Sequence, residues 1–141
     1  MARIVELDVP VDNVSGYAVF DGGVLRRAVF INLDAWLSSM EAAGDTRPVV
    51  HIDLGFAAAN VTSSSAAKVF SGAKVQVRRL GIDHADDIAN LTWAGQSYED
   101  SSDASPTGQE VVEAIDAEDG VDLQASEAVL LSFDFWLAPR K

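Results

Sequence analysis

Hydrophobic and polar residues alternate at period two along most of this chain, the period of strands rather than helices. In Val49–Leu54 the apolar Val50, Ile52 and Leu54 fall on one side and Val49, His51 and Asp53 on the other. That is the pattern of an antiparallel strand with one face buried. Lys74–Leu80 repeats it, with Val75, Val77 and Leu80 predicted inward and Lys74, Gln76 and Arg78 outward. Val121, Leu123 and Ala125 alternate in the same way. The strongest signal is Gly16–Leu33, which reads as two strands joined at Asp21-Gly22-Gly23, where glycine supplies the positive φ of a tight hairpin. Its second strand, Val24–Leu33, places Leu25, Val29, Ile31 and Leu33 on one face and Val24, Ala28 and Phe30 on the other. Both faces are apolar from Ala28 onward, which predicts a central strand covered on two sides.

Weaker patterns fill the remainder. Ile4–Pro10 is a short edge strand or an entry linker that ends at proline. Asp34–Arg47 holds one helical turn around Trp36, Leu37 and Met40, stopped at Gly44. Ala57–Gly72, rich in alanine and serine, is a surface loop. Leu91–Tyr98 contains a short strand with a glycine bend, and Gln109–Ile115 a strand anchored by Val111 and Ile115. Ala128–Phe135 closes the chain as a second central strand. The expected fold is all-β, an antiparallel β-sandwich of about eight strands. It forms a single domain over 1–141, with 1–14 as entry strand or linker and 134–141 as a tail.

Composition narrows the partners. The chain has 141 residues, 10 basic and 22 acidic side chains and a net charge of -12. A phosphate backbone is repelled by that field, so no nucleic-acid partner is expected. No membrane partner is expected either. Anionic lipid is repelled in the same way, and no apolar run reaches the roughly 18 residues of a spanning helix. The N-terminus MARIVELDVP lacks the pattern of a signal peptide. There is no cysteine, which removes disulfides, thiolate catalysis and cysteine–zinc sites.

Candidate chemistry is sparse. The acids cluster in predicted turns, at Asp83, Asp86 and Asp87, at Glu99, Asp100 and Asp103, and at Asp116, Glu118 and Asp119, where solvated loop residues are ordinary. Two histidines, His51 and His84, are too few for a zinc site without cysteine. His84 is expected to have its pKa raised by the aspartates around it. No metal, cofactor or catalytic residue is assigned. Trp36, Trp93 and Tyr98 are the candidate carbohydrate-binding residues, because aromatic rings can stack on sugars; packing at the rim of the core is the competing explanation. Asn-X-Ser/Thr sequons begin at Asn13, Asn60 and Asn90, each in a predicted loop or turn. They point to possible glycosylation and to a secreted, extracellular product.

The stretches IVELD, GYAVFDGG–VLRRAVFINLDAW, RPVVHIDL, VRRLGIDHADD, LTWAGQSYE and GVDL–EAVLLSF stand in this order along the chain. Over Ile4–Phe133 they resemble the C-terminal β-domain of family 79 glycoside hydrolases, the β-glucuronidase and heparanase family, in its fungal branch. The resemblance implies a sandwich that stands beside a catalytic (β/α)8 barrel. In that family the barrel hydrolyses uronic-acid glycosides with retention, using two glutamates, one of them in an Asn-Glu pair. Here Asn13, Asn32, Asn60 and Asn90 are followed by Val14, Leu33, Val61 and Leu91, so no such pair exists. A barrel of at least about 200 residues does not fit in this chain. Ala57–Ser71 is longer than the family's usual connection, and Asp134–Lys141 runs past its usual end. In the family a segment ahead of the barrel also adds to the sandwich; its absence here implies an open sheet edge and possible self-association.

The reading that follows is a non-catalytic accessory domain that supports a barrel, with uronic-acid glycans as possible ligands. By itself the chain is not expected to be an enzyme. The alternative is a stand-alone carbohydrate-binding sandwich that uses Trp36, Trp93 and Tyr98.

Overall fold

The computed structural model describes residues 1–56 and 73–133. The predicted loop at 57–72, with Asn60, and the predicted tail at 134–141 lie outside the described residues. Nearly all of the regular secondary structure of the described residues is strand: β1 (Ala2–Leu7), β2 (Val14–Asp21), β3 (Val24–Asn32), β4 (Val49–Ile52), β5 (Lys74–Gly81), β6 (Thr92–Trp93), β7 (Gln96–Ser97), β8 (Glu113–Asp116), β9 (Val121–Gln124) and β10 (Ala128–Ser132). A short α-helix, α1 (Ser38–Ala42), follows β3, and one 3-10 turn, Ala117–Asp119, precedes β9.

The large sheet runs β1-β2-β3-β10-β5-β6-β7, all antiparallel, and β8 shares the far edge of β5 with β6. β4 and β9 form the facing layer, paired from Val49↔Gln124 to Ile52↔Val121. The second layer is thus much smaller than the first among the described residues. Both expected central strands are central: β3 lies between β2 and β10, and β10 between β3 and β5. The entry segment is the edge strand β1, paired with β2 from Ala2↔Asp21 to Leu7↔Gly16. Gly22 and Gly23 turn the β2–β3 hairpin with φ of 56° and 80°, the double positive φ whose twist matches that of the strands.

The core lies between the layers. Ala18, Leu25, Ala28, Phe30, Val75, Val77, Val129, Leu131 and Phe133 of the large sheet meet Ile52, Leu54, Val121 and Leu123 of the small one. Phe56 stands edge-on to Phe30 and Phe133, with ring centroids 6.0 and 6.4 Å away. Two glycines permit close approaches. A Cβ on Gly16 would come within 2.8 Å of the Phe30 ring and of Val9. One on Gly120, whose φ is +69°, would come within 2.5 Å of the Ile52 carbonyl oxygen.

Three predicted strand faces are corrected. In β3 the buried residues are Leu25, Ala28, Phe30 and Asn32, while Val29 and Ile31 face the other way and Leu33 is exposed. The cause is a β-bulge. Val19 pairs with Arg27 but Phe20 pairs with Leu25, so Arg26 is the extra residue and the alternation shifts by one. In β5 the inward residue after Val77 is Arg79, and Leu80 faces out, because strict period two holds to the end of the strand. Val111 is exposed and lies outside the core and the strand, its N–H donating to the Ala94 carbonyl at 2.7 Å; the strand there starts at Glu113, and of the two only Ile115 packs against the core. The bend expected near Gly95 is a tight turn at Ala94-Gly95, which splits that segment into β6 and β7.

Candidate functional site

At one end of the sandwich the connection after β3 is tied to the β9–β10 turn. The Trp36 N–H donates to Ser126 Oγ at 2.8 Å, and the Ser126 hydroxyl donates to the Asp34 carbonyl at 3.1 Å. Arg47 donates from Nε and Nη2 to the Ala125 carbonyl and from Nη2 to that of Ile82. These bonds bring α1 against the β5–β6 loop and leave a polar cleft of about 540 Å³ between them. Trp36, Glu41, Asp45, Thr46, Arg47, Asp83, His84 and Gln124 line it.

His84 is held between two carboxylates. Its Nε2 is 2.9 Å from Glu41 Oε2 and its Nδ1 is 3.3 Å from Asp87 Oδ2. Partial burial would by itself lower the His84 pKa. The hydrogen bond to Glu41 and the charge of Asp87 outweigh it, and the pKa is raised above the ordinary imidazole value. Beside it Asp86 accepts from the Ser38 hydroxyl at 2.6 Å and the Ser38 N–H at 2.9 Å, bonds that lower its pKa. The expected effect of the aspartates on His84 is present, but its nearer partner, Glu41, lies 43 residues away and had no signal in the sequence.

A second charged group sits on the inner side of β5. Arg79 donates to Glu113, to Glu127 Oε1 at 3.1 Å and to the Asp122 carbonyl at 2.8 Å. Glu127 is buried, and its Oε2 accepts from the Gln124 N–H at 2.8 Å. Burial would lower the Arg79 pKa, but the hydrogen bonds to Glu113 and Glu127 prevail and raise it. The group joins β5, β8 and β9, and thereby the two layers.

The candidate aromatic residues take different positions. Trp36 is 5% exposed and reaches the polar cleft only as part of its wall. Trp93 is half-buried on β6, opposite Leu80, and Tyr98, just past β7, is 42% exposed. Neither Trp93 nor Tyr98 lines the cleft. Of the carboxylates that line the cleft, Glu41 is engaged with His84, whereas the Asp45 and Asp83 side chains make no hydrogen bond or ion pair among the described residues; its guanidinium is engaged with backbone carbonyls. Among the described residues no three His, Cys, Asp or Glu side chains converge on a possible metal position. Of the sequons, Asn13 and Asn90 are exposed, each with positive φ, and Asn13 Nδ2 donates to Asp34 Oδ1 at 2.7 Å.

The profile of the family described as Glycosyl hydrolase family 79 C-terminal beta domain matches residues 16–130, from the middle of β2 to the middle of β10. The chain belongs to this family. This family 79 C-terminal β-domain also resembles part of a solved structure. That structure is a 4-O-α-L-rhamnosyl-β-D-glucuronidase from Fusarium oxysporum 12S in its Rha-GlcA complex, with TM-score 0.67 and 24% identity over 92% of the present chain. The chain spans 25% of the length of that enzyme's chain. The likeness is one of fold. No curated protein matches the sequence.

Proposed function

We propose that this domain is a non-catalytic accessory module of a family 79 glycoside hydrolase, a sandwich that supports a catalytic barrel carried outside this chain. The observation that carries the proposal is the family match across residues 16–130 in a chain spanning only a quarter of a structurally similar glucuronidase. The local chemistry agrees with it. A retaining glycosidase needs two carboxyl groups about 5–5.5 Å apart across an open cleft, one of them free to act as acid. Here Glu41, Asp86 and Asp87 are engaged with His84 or Ser38, and Glu113 and Glu127 with Arg79. The three sequons support secretion of the protein that carries the domain.

A glycan-binding role rests on Tyr98 and the half-buried Trp93, which lie at the two ends of one small hairpin; Trp36 has too little exposed surface to stack on a sugar ring. The acidic cleft would repel a uronate. The test is an assay of the chain alone on an aryl β-D-glucuronide. No turnover above buffer is expected, whereas measurable turnover that disappears on mutation of a carboxylate would overturn the accessory-domain reading.

A further inference from the structure

The outer face of the large sheet is apolar where a solvated antiparallel sheet is ordinarily polar. The strand registers align Ile31, Ala128 and Leu80 in one cross-strand row and Tyr17, Val29 and Leu130 in the next. All six lie opposite to the core-facing Ala28, Phe30, Val77, Val129 and Leu131. The upper row continues to Leu33 and Ile82 around a shallow hollow of about 300 Å³. Leu33 is 64% exposed and Leu80 36%. No described strand lies over this face, since β4 and β9 cover the opposite one. Apart from Glu6, opposite Tyr17 at the β1 end of the second row, the two rows hold no carboxylate, in a chain whose net charge is -12. Arg78, at the end of the second row, is paired with Glu110 at 2.8 Å.

We infer that this outer face, centred on Ile31, Leu33, Leu80 and Leu130, is the surface on which the catalytic barrel docks. The inference rests on the accessory-domain reading and adds to it the side of the sandwich that is used. The occupant follows from what lies outside the chain. A family defined by its C-terminal position has a preceding domain, and three quarters of the structurally similar enzyme's length lies beyond the span of this chain. A ring of helices surrounds a (β/α)8 barrel and offers an outer wall of side-chain ridges to a flat sheet. Burying Leu33 and Leu80 there removes from water the apolar surface that the sandwich itself leaves exposed.

The chain has no cysteine, so a single introduced thiol reports one position without background. Leu33→Cys, Leu80→Cys and, as a control in the 3-10 turn Ala117–Asp119 ahead of β9, Glu118→Cys are labelled with a maleimide in two settings. One is this chain alone; the other is the longer enzyme in which it accompanies its barrel. Circular dichroism verifies the fold of each variant. All three thiols are expected to react in the chain alone. In the longer enzyme labelling of Leu33→Cys and Leu80→Cys should be lost while Glu118→Cys still reacts. Continued labelling at both leucine positions, with Glu118→Cys protected, overturns the assignment of the face but leaves the accessory role intact. Protection of Leu33→Cys and Leu80→Cys that grows with concentration in the chain alone assigns the face to a second copy and also overturns the inference. A chain that neither adjoins nor binds any barrel removes the accessory-domain reading itself.

Discussion

His84 shows how one side chain couples pH to the packing of two segments. It holds Glu41 of α1 and Asp87 of the β5–β6 loop, and its raised pKa means that the folded state favours the imidazolium. The contribution is therefore fully present below the unfolded imidazole value of 6.5 and is lost as pH rises through the folded value. Replacing His84 with asparagine should lower the melting temperature most in acid, and the difference from the parent chain should shrink as pH rises past neutral. A difference that is constant with pH would show that the ion pairs contribute nothing. The neighbouring Asp86 has the opposite sign. Its pKa is lowered by Ser38, so its contribution is present above the carboxylate value of 3.8 and disappears as pH falls through its folded value.

At the scale of elements, the Arg79 group ties β5 and β8 of the large sheet to β9 of the small one. Removing the guanidinium would leave the buried Glu127 with an uncompensated charge. Arg79→Met should cost about 1–3 kcal/mol, measured by urea denaturation, the partial exposure of the pair keeping it below a fully buried one. The double variant Arg79→Met/Glu127→Met should recover part of that loss; a double-variant loss equal to the sum of the losses in Arg79→Met and Glu127→Met would mean that the pair is not coupled. None of this was legible in the sequence. Arg78 and Arg79 are adjacent and chemically identical, and the partners that draw Arg79 inward come from 34 and 48 residues further on. By contrast Val50, Ile52 and Leu54 could be placed at once, because their strand is regular and one of its faces is buried. The core face of β3 departs from the expected one for a local reason: the extra residue at Arg26 shifts the alternation by one for the rest of the strand, and a single inserted step has no signature in the apolar pattern. The two-residue strands β6 and β7 are too short to show any period. That β3 is apolar on both faces is plain in the sequence, but the expected cover on two sides is not met among the described strands, which lie over the inner face only, and this is the origin of the exposed patch.

At the scale of the whole molecule the excess of acid sets the response to pH and salt. A net charge of -12 on a domain of this size repels itself, and partial protonation of carboxylates relieves the repulsion. With the imidazolium of His84 acting in the same direction, the melting temperature should be higher near about pH 5.5 than near about pH 8, and the gap should narrow as salt screens the surface charges. A melting temperature that climbs steadily over that interval would contradict this electrostatic account. The same scale decides function. The described residues make an ordered two-layer scaffold whose carboxylates are largely bound within it, and the family to which it belongs occupies the end of a longer enzyme. The most direct measurement is calorimetry of the catalytic barrel with and without this domain. Domain and barrel are predicted to unfold together in one transition, with the barrel alone melting at lower temperature or failing to fold. A barrel that melts unchanged without the domain, with full catalytic activity, would contradict the claim that this sandwich supports it.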